Sequence, residues 1–279
     1  MTVKIVTDSI CDLPPQVVKD LDITIIPIHV CFGNEVYRDG IDISTEEFYK
    51  KLETGKVFPT TAIPPPTEFL KAYERAAEKA DEILVITLSS KLSGLYQVAQ
   101  QAVELMKKKC RVEVVDSRWV IMAEGFIVMK AAEAARQGAK LDEIVKLVQR
   151  NMNRVATCSV FDTLEYLKRG GRISKVAALM GNLMHIHPIL GVKDGEVYSM
   201  GRRRSRAEAL DYMYDFVMEY NNIEEMSVAF FKAADEAEQL IERLNTKFPE
   251  ERVFRSRTSP VIGAHTGPNL LVVAVLGDK

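Results

Sequence analysis

The sequence predicts an α/β protein of two domains, with a parallel sheet in the N-terminal domain and a mixed sheet in the C-terminal domain. In the first half, short apolar, β-branched segments alternate with helical patterns, as expected of right-handed βαβ crossovers. In the second half, two apolar segments flank the turn sequence Asp194-Gly195, which predicts an antiparallel hairpin. The length of 279 residues suits one large domain or two medium ones, and we place the domains at 1–154 and 155–279.

Strand and helix signals alternate regularly in the N-terminal half. Buried strands are predicted at 3–6, 23–32, 83–88 and 112–115. Helices are predicted to begin at Pro14-Pro15, to run from Thr45 to Gly55, to follow Thr67, and to cover 93–108, 122–137 and 141–152. The proline-rich segment 58–66 fits neither a regular helix nor a central strand, so we expect a stiff connector there.

The C-terminal half combines the hairpin with further helices and strands. Strands are predicted at 157–160, 188–192, 196–200, 227–231, 252–255 and 270–276. Helices are predicted at 205–220 and 233–248, and a short helix ends at the glycine turn Gly170-Gly171 before a new helix starts near Ser174. A hairpin together with helix–strand alternation predicts the mixed sheet.

The composition argues against several classes of protein. Lys plus Arg number 37 and Asp plus Glu number 39, and this formal net charge of -2 argues against a dedicated nucleic-acid binder. The four cysteines contain no C-x-x-C pair, so neither a zinc site nor a disulfide framework is predicted. No apolar run approaches the length of about 18 residues that a membrane span needs, and the N-terminus lacks the pattern of a signal peptide. We therefore expect a soluble, cytoplasmic protein.

Three polar motifs stand where loops should follow buried strands. They are Thr7-Asp8-Ser9, the loop 89–94 and His265-Thr266-Gly267-Pro268. Ligands of α/β proteins lie beyond the carboxyl ends of the strands, so the three motifs are candidates for one shared site. Small hydroxyls, an imidazole and glycines suit an anion such as a carboxylate or a phosphate.

Ser93 lies at the predicted start of a helix, where backbone N–H groups and the helix dipole favour an anion. The simpler alternative is that Ser93 only caps this helix, and the motif alone does not separate the two interpretations. The loop is not a Walker A loop, because no Gly-Lys-Ser/Thr follows at the required spacing. Thr60-Thr61 offers hydroxyls in a loop that prolines stiffen, although an ordinary connector would have the same pattern.

His265 leaves two chemical roles open. It can donate a hydrogen bond to an anion or act as a general base, and a loop histidine is also often simply solvated. With Ser93 and an aspartate it would form a hydrolase triad, but the G-x-S-x-G elbow is absent. His185 and His187 have no carboxylate or cysteine paired locally with them, so no metal site is predicted.

Arg202, Arg203 and Arg204, together with Arg206, form one dense basic cluster. Arginines at the start of a helix oppose the helix dipole, which makes a purely structural role less natural. We interpret the cluster as a surface for a phosphate or an acidic partner, with a solvated helix start as the alternative.

A set of short motifs runs along nearly the whole chain. They are Thr7-Asp8-Ser9 with Asp12-Leu13, Pro59-Thr60-Thr61 with Pro64, Ser89-Ser90-x-Leu92-Ser93-Gly94-x-Tyr96-Gln97, Val115-Asp116-Ser117, Thr163-Leu164-x-Tyr166-Leu167-x-x-Gly170-Gly171-Arg172-Ile173, Pro188-Ile189-Leu190 and His265-Thr266-Gly267-Pro268. In these motifs and their order, the sequence resembles the DegV family of bacterial fatty-acid-binding proteins. Each motif alone is modest, and the combination is highly specific.

The resemblance implies two α/β domains with a long lipid tunnel between or inside them, and no catalytic residue or cofactor. It implies that the protein binds a long-chain fatty acid and presents the carboxylate to a separate ATP-dependent fatty acid kinase. That kinase makes the acyl phosphate for phospholipid synthesis, and transient membrane contact belongs to the same picture. By the resemblance, Thr61 and Ser93 are hydrogen-bond partners of the carboxylate, and His265 supports them.

The resemblance also assigns more peripheral residues. Arg172 and Arg202 are similar in position to basic residues of the head-group region or the kinase surface. Ser9 is assigned to the ligand site with its motif, and Arg203 and Arg204 are assigned to the partner surface with Arg202. Two apolar residues, Ile63 and Leu95, stand where the family often has Gln and Thr, so we expect a pocket of altered shape.

Overall fold

The computed structural model describes residues 2–182, 186–248 and 253–279, and the predicted α/β fold class is confirmed. The strands are β1 (Val3–Asp8), β2 (Thr24–Ile26), β3 (His29–Phe32), β4 (Glu35–Arg38), β5 (Thr60–Ala62), β6 (Glu82–Thr87), β7 (Arg111–Asp116), β8 (Val155–Val160), β9 (His187–Lys193), β10 (Glu196–Arg203), β11 (Asn222–Phe230), β12 (Val253–Arg257) and β13 (Leu271–Asp278). The helices are α1 (Pro15–Asp20), α2 (Thr45–Thr54), α3 (Pro66–Ala77), α4 (Leu95–Glu104), α5 (Ile121–Arg136), α6 (Leu141–Asn151), α7 (Glu165–Arg169), α8 (Arg206–Met218), α9 (Ala234–Asn245) and α10 (Pro260–Thr266). His185, considered above as a metal ligand, and Arg252 lie outside the described residues.

The N-terminal half contains a four-stranded parallel sheet of order β2-β1-β6-β7. Most of β6 is completely buried, as expected of a parallel strand that is covered on both faces. Because β1 and β6 are parallel neighbours, their last residues, Asp8 and Thr87, lie at the same edge of the sheet. The loop 89–94 therefore starts beside the motif that follows β1.

A three-stranded antiparallel sheet of order β4-β3-β5 is a feature that the sequence patterns did not predict. The strand expected at 23–32 is divided at Pro27 into β2 and β3, since proline has no N–H to give to a ladder. Thr61 lies in β5, opposite Val30. The segment 58–66 thus contains an edge strand, which is the position in a sheet that neighbouring prolines allow.

The C-terminal half contains a six-stranded sheet of order β10-β9-β8-β13-β11-β12. Every neighbouring pair in it is antiparallel except β11 and β12, which makes the sheet mixed as predicted. Successive residues of β13 face opposite sides: Leu271, Val273 and Val275 pack with α8 and α9, whereas Val272 and Ala274 face the N-terminal half.

Helix α5 joins the two halves into one core. It packs against β1 on one side and against β8 and β13 on the other, and its residues 121–129 are all buried. A helix that is apolar on nearly every side is expected in such a position. The location of the domain boundary at 154/155 stays a prediction.

Two candidate site residues lie in elements that differ from the predicted ones. Helix α4 begins at Leu95 with Gly94 as its N-cap, so Ser93 precedes the helix and does not cap it. His265 lies in the last turn of α10 and not in a loop. The signal for α10 was Ser259-Pro260, an N-cap followed by a first-turn proline, but a helix of seven residues shows too little periodicity to be recognised.

The basic cluster is also placed differently. Arg202 and Arg203 belong to β10, which continues past a bulge between Ser199 and Gly201. Only Arg206 begins helix α8, where Ser205 is the N-cap. The argument that several arginines oppose a helix dipole therefore does not apply. In the described ranges, no helix is both long and apolar enough to cross a bilayer.

Candidate functional site

A cavity of about 130 Å³ is enclosed by residues from both halves of the chain. Most of the lining is aliphatic. The polar lining residues are Thr61, Ser93, Thr157, Ser159, Arg172, His265 and Thr266. By the same measure one water molecule needs about 10–15 Å³, so the cavity has room for a ligand of many atoms.

Thr61 and His265 form the central polar contact of the cavity. The hydroxyl of Thr61 lies 2.8 Å from Nε2 of His265, although the two residues are 204 positions apart in sequence. Edge strand β5 supplies the hydroxyl and the end of α10 supplies the imidazole, and these two elements are in contact. The two polar groups therefore satisfy each other in a part of the molecule that is mainly apolar.

His265 is held neutral. Burial, and next the positive charge of Arg172, lower the pKa of His265 to about 4. Its Nδ1 is buried and has no hydrogen-bond partner among the described residues. This ring edge packs against Gly170, where a Cβ atom would clash with Nδ1 and lie 2.9 Å from Cε1. The imidazole of His265 can occupy this position only because residue 170 has no side chain.

The hydroxyl of Ser93 is carried by a loop that other groups fix. Asp8 accepts hydrogen bonds from the backbone N–H of Leu88 (2.8 Å) and of Ile10 (3.0 Å). Asp116 accepts from Ser90 N–H at 3.1 Å, and the Ser89 hydroxyl donates to the Gly195 carbonyl at 2.6 Å. These contacts join the ends of three parallel strands, β1, β6 and β7, and the C-terminal hairpin, and they hold Ser93 at the cavity wall.

Arg172 connects the cavity with a second, more polar cleft. Its Nε donates to the Leu92 carbonyl at 3.0 Å and its Nη1 donates to the Gly170 carbonyl at 2.5 Å. The cleft has a volume of about 330 Å³ and shares Leu92, Ser93, Arg172 and Val197 with the cavity wall. Ser93 and Arg172 therefore lie at the boundary between an apolar interior and a polar opening.

Comparison with known proteins identifies the family. The family model described as "Uncharacterised protein, DegV family" matches residues 2–278. The chain belongs to the DegV family. A DegV domain-containing protein of Caldanaerobacter subterraneus is 36% identical over 271 residues, which cover 96% of each chain. The family indicated by the sequence motifs is thereby confirmed.

Two solved DegV structures match over the whole length. A DegV family protein of Thermus thermophilus, whose structure describes fatty acid binding, has 31% sequence identity and a TM-score of 0.90, covering 99% of this chain and 100% of that one. DegV of Bacillus subtilis, a fatty acid binding protein, has 29% identity and a TM-score of 0.91, covering 100% of both chains.

Ser9 lies apart from the cavity of this DegV chain. Its hydroxyl donates to Asp39 at 2.7 Å and accepts from Ile28 N–H at 3.1 Å, and it does not line the cavity. Its assignment to the ligand site stays a prediction. The contacts indicate a structural role, in which Ser9 anchors the segment before β3.

A group of buried carboxyls behind this segment was missed in the sequence. Asp8, Asp12, Asp39 and Glu124 are all buried, and burial is the largest cause of the raised pKa of each. The pKa of Asp8 is raised to about 6 and that of Asp39 to about 7. The only sign of buried carboxyls in the sequence was Glu124, the single acidic residue in the apolar run 121–129.

The partner-surface arginines are only partly free. Arg203 lies 4.3 Å from the ring centre of Tyr212, and its Nη1 donates to the Arg202 carbonyl. Arg206 is held by Glu236 and Asp162. Arg202 and Arg204 are exposed, so they are the members of the cluster that a partner could reach.

The geometry does not form the hydrolase triad considered above. In the described ranges, Nε2 of His265 contacts Thr61 and Nδ1 contacts no polar group, so neither nitrogen is paired with Ser93. Within the same ranges, no group of three or more His, Cys, Asp or Glu residues is arranged to hold a metal ion.

Proposed function

We propose that this protein is a non-catalytic fatty-acid carrier. It holds the acyl chain of a long-chain fatty acid in the cavity and the carboxylate at Thr61, Ser93 and His265, near Arg172. The observation that carries this proposal is the buried Thr61–His265 contact in the wall of an otherwise aliphatic cavity. The two solved DegV relatives named for fatty acid binding support it.

The energetics favour an apolar ligand with one polar end. Burying a methylene group is worth about 0.8 kcal/mol, so a long acyl chain gains roughly 10 kcal/mol before ordering costs. Few polar contacts are then needed for affinity. When neutral His265 carries its proton on Nε2, it donates to the Thr61 oxygen, and the Thr61 hydroxyl proton is then free to donate to a carboxylate. The Ser93 hydroxyl at the cavity wall can donate to the same carboxylate.

The polar cleft gives the carboxylate an outlet. We place the reacting oxygen at the boundary formed by Ser93 and Arg172, where it faces the cleft and not the aliphatic interior. A separate ATP-dependent fatty acid kinase would phosphorylate it there. Production of acyl phosphate for phospholipid synthesis, location in the cytoplasm and transient membrane contact are parts of the same proposal.

Native mass spectrometry of the purified protein tests the carrier function. A co-purified fatty acid, at about one per chain and identified after extraction, is the expected result. A ligand-free mass, combined with failure to take up added fatty acids, would contradict the proposal.

Ser93→Ala separates the carrier from the hydrolase. We expect fatty-acid affinity to fall about tenfold, the value of a hydrogen bond to a charged group. A chromogenic acyl ester should not be turned over by the natural protein or by the variant. Turnover that disappears in Ser93→Ala would instead support the enzyme.

Arg202→Ala tests the partner surface. Arg202 is exposed and lines neither the cavity nor the polar cleft, so its loss should reduce acyl-phosphate formation by the kinase several-fold and leave fatty-acid binding unchanged. Arg136→Ala, which removes an exposed arginine at the end of α5, is the control and should affect neither. Equal loss of binding and phosphorylation in Arg202→Ala would refute a docking role.

A further inference from the structure

Two hydroxyl groups lie on the aliphatic wall of the cavity. Thr157 and Ser159 are alternate residues of β8, so both face the cavity, whereas Cys158 and Val160 face the core on the other side. Thr157 is only 4% exposed, and its Oγ1 has no hydrogen-bond partner within the described part of the chain. Its cross-strand neighbour on β13 is Ala274, which offers no polar side-chain atom.

Thr157 lies well away from the end of β8 that leads to the carboxylate site. Beyond Val160 the chain passes through Phe161 to α7, and α7 packs against α10, the helix that carries His265. Thr157 is four residues back along the strand from Phe161, a distance of about 13 Å at 3.3 Å per residue. Thr157 does not line the polar cleft at which we place the carboxylate, so we assign a ligand group near Thr157 to the acyl chain.

A buried hydroxyl without a partner is unfavourable, and a plain methylene chain would leave it so. A rotation about χ1 that exchanges the Oγ1 and methyl positions of Thr157 would turn the hydroxyl towards the cavity, where an oxygen on the ligand would satisfy it. We infer that the cavity is suited to fatty acids that carry a hydroxyl or keto oxygen along the chain, and that Thr157 recognises this oxygen. The inference rests on the proposed function, since it places the chain of a bound fatty acid along β8.

The test compares octadecanoic acid with a positional series of monohydroxylated octadecanoic acids. The natural protein should bind at least one isomer about five- to tenfold more tightly than octadecanoic acid, the range expected of one net hydrogen bond. Thr157→Val keeps the shape of the side chain and removes the hydroxyl, so it should abolish this preference while still binding octadecanoic acid. Thr157→Ser keeps a hydroxyl and should retain the preference.

Ser227→Ala is the matched control. Ser227 pairs with Ala274 from the opposite side, so it lies in the same cross-strand row as Thr157, and its buried Oγ also has no partner among the described residues. It does not line the cavity, so the preference should survive in this variant.

The outcomes separate the inference from the proposed function. Binding of octadecanoic acid without preference for any hydroxylated isomer, or a preference that persists in Thr157→Val, overturns the inference alone. Failure to bind any member of the series overturns the carrier function with it. If Thr157→Val does not fold, Thr157→Ala removes the same hydroxyl with a smaller side chain and should abolish the preference in the same way.

Discussion

Replacing Gly170 with alanine is expected to weaken fatty-acid binding about 10- to 100-fold. The new Cβ atom would overlap Nδ1 and Cε1 of His265, so the imidazole must leave its position and its contact with Thr61. Losing the hydrogen bonds that this pair provides to the charged carboxylate of the fatty acid accounts for a loss of affinity of this size. Titration of the variant with a fluorescent fatty acid, in competition with octadecanoic acid, measures it.

Gly171 provides the control for this variant. Gly171 has a φ of 73°, and a Cβ atom there would meet nothing within 4 Å. Gly171→Ala therefore introduces backbone strain of about 1 kcal/mol at the neighbouring position without touching the imidazole. We expect it to lower the stability slightly and to leave the affinity within about twofold of the natural protein.

A double variant shows whether Gly170→Ala acts through the histidine. In a His265→Ala background the imidazole is gone, so Gly170→Ala should weaken binding little further. Additive losses of affinity in the double variant would show that alanine at position 170 acts by another route, such as displacing the Gly170 carbonyl that Arg172 binds.

Local sequence patterns predicted the two sheets because strand composition and helix periodicity are local properties. The parallel sheet around β1 and β6 and the Asp194-Gly195 hairpin were predicted in this way. The three-stranded sheet was not, since Thr60–Ala62 is an edge strand whose partner, β3, lies about thirty residues earlier. Its short length and its flanking prolines gave no strand signal.

The candidate site depends on contacts that no local pattern contains. Thr61 and His265 are 204 residues apart, and only the packing of β5 against α10 brings them to 2.8 Å. The family resemblance named both residues, yet it did not show that Gly170 is needed for the imidazole or that Ser9 is bonded to Asp39. Burial of Glu124 was equally hidden, because a charged residue in an apolar helix can also face solvent.

Glu124→Gln is expected to stabilise the protein by about 1–3 kcal/mol at pH 8, because the folded protein must bind a proton at Glu124 that the unfolded protein releases, and each unit of raised pKa costs about 1.4 kcal/mol. Glu124 is fully buried, and its Oε2 has no partner among the described residues. Burial, and next the negative charge of Asp8, raise the pKa of Glu124 well above its usual value. A glutamine resembles the protonated carboxyl, because it is uncharged and keeps a hydrogen-bond donor at this position.

The way in which the stability of the protein depends on pH follows from the direction of the pKa shifts. In the folded protein the pKa of Asp8 is about 6 and that of Asp39 about 7, above the ordinary 3.8. The folded state therefore binds more protons than the unfolded state between about pH 4 and 7, and stability falls as the pH rises through this window. His265 acts oppositely, since its folded-state pKa of about 4 lies below 6.5, and its contribution is lost as the pH falls from 6.5 towards 4.

Thermal unfolding at pH 6.5 and at pH 8 reports mainly on the carboxyls, because the unfolded-state histidine is half protonated at pH 6.5 and the opposing contribution of His265 is therefore only about 0.4 kcal/mol. The natural protein should unfold at a lower temperature at pH 8, and Glu124→Gln should raise the midpoint there by a few degrees, at about 2–4 °C per kcal/mol.

Glu133→Gln is the control on the same helix: it removes a partly exposed ion pair with Lys130 and should destabilise by no more than about 1 kcal/mol. A midpoint that Glu124→Gln lowers at pH 8 would mean that the buried carboxyl is ionised and paired, contrary to its raised pKa.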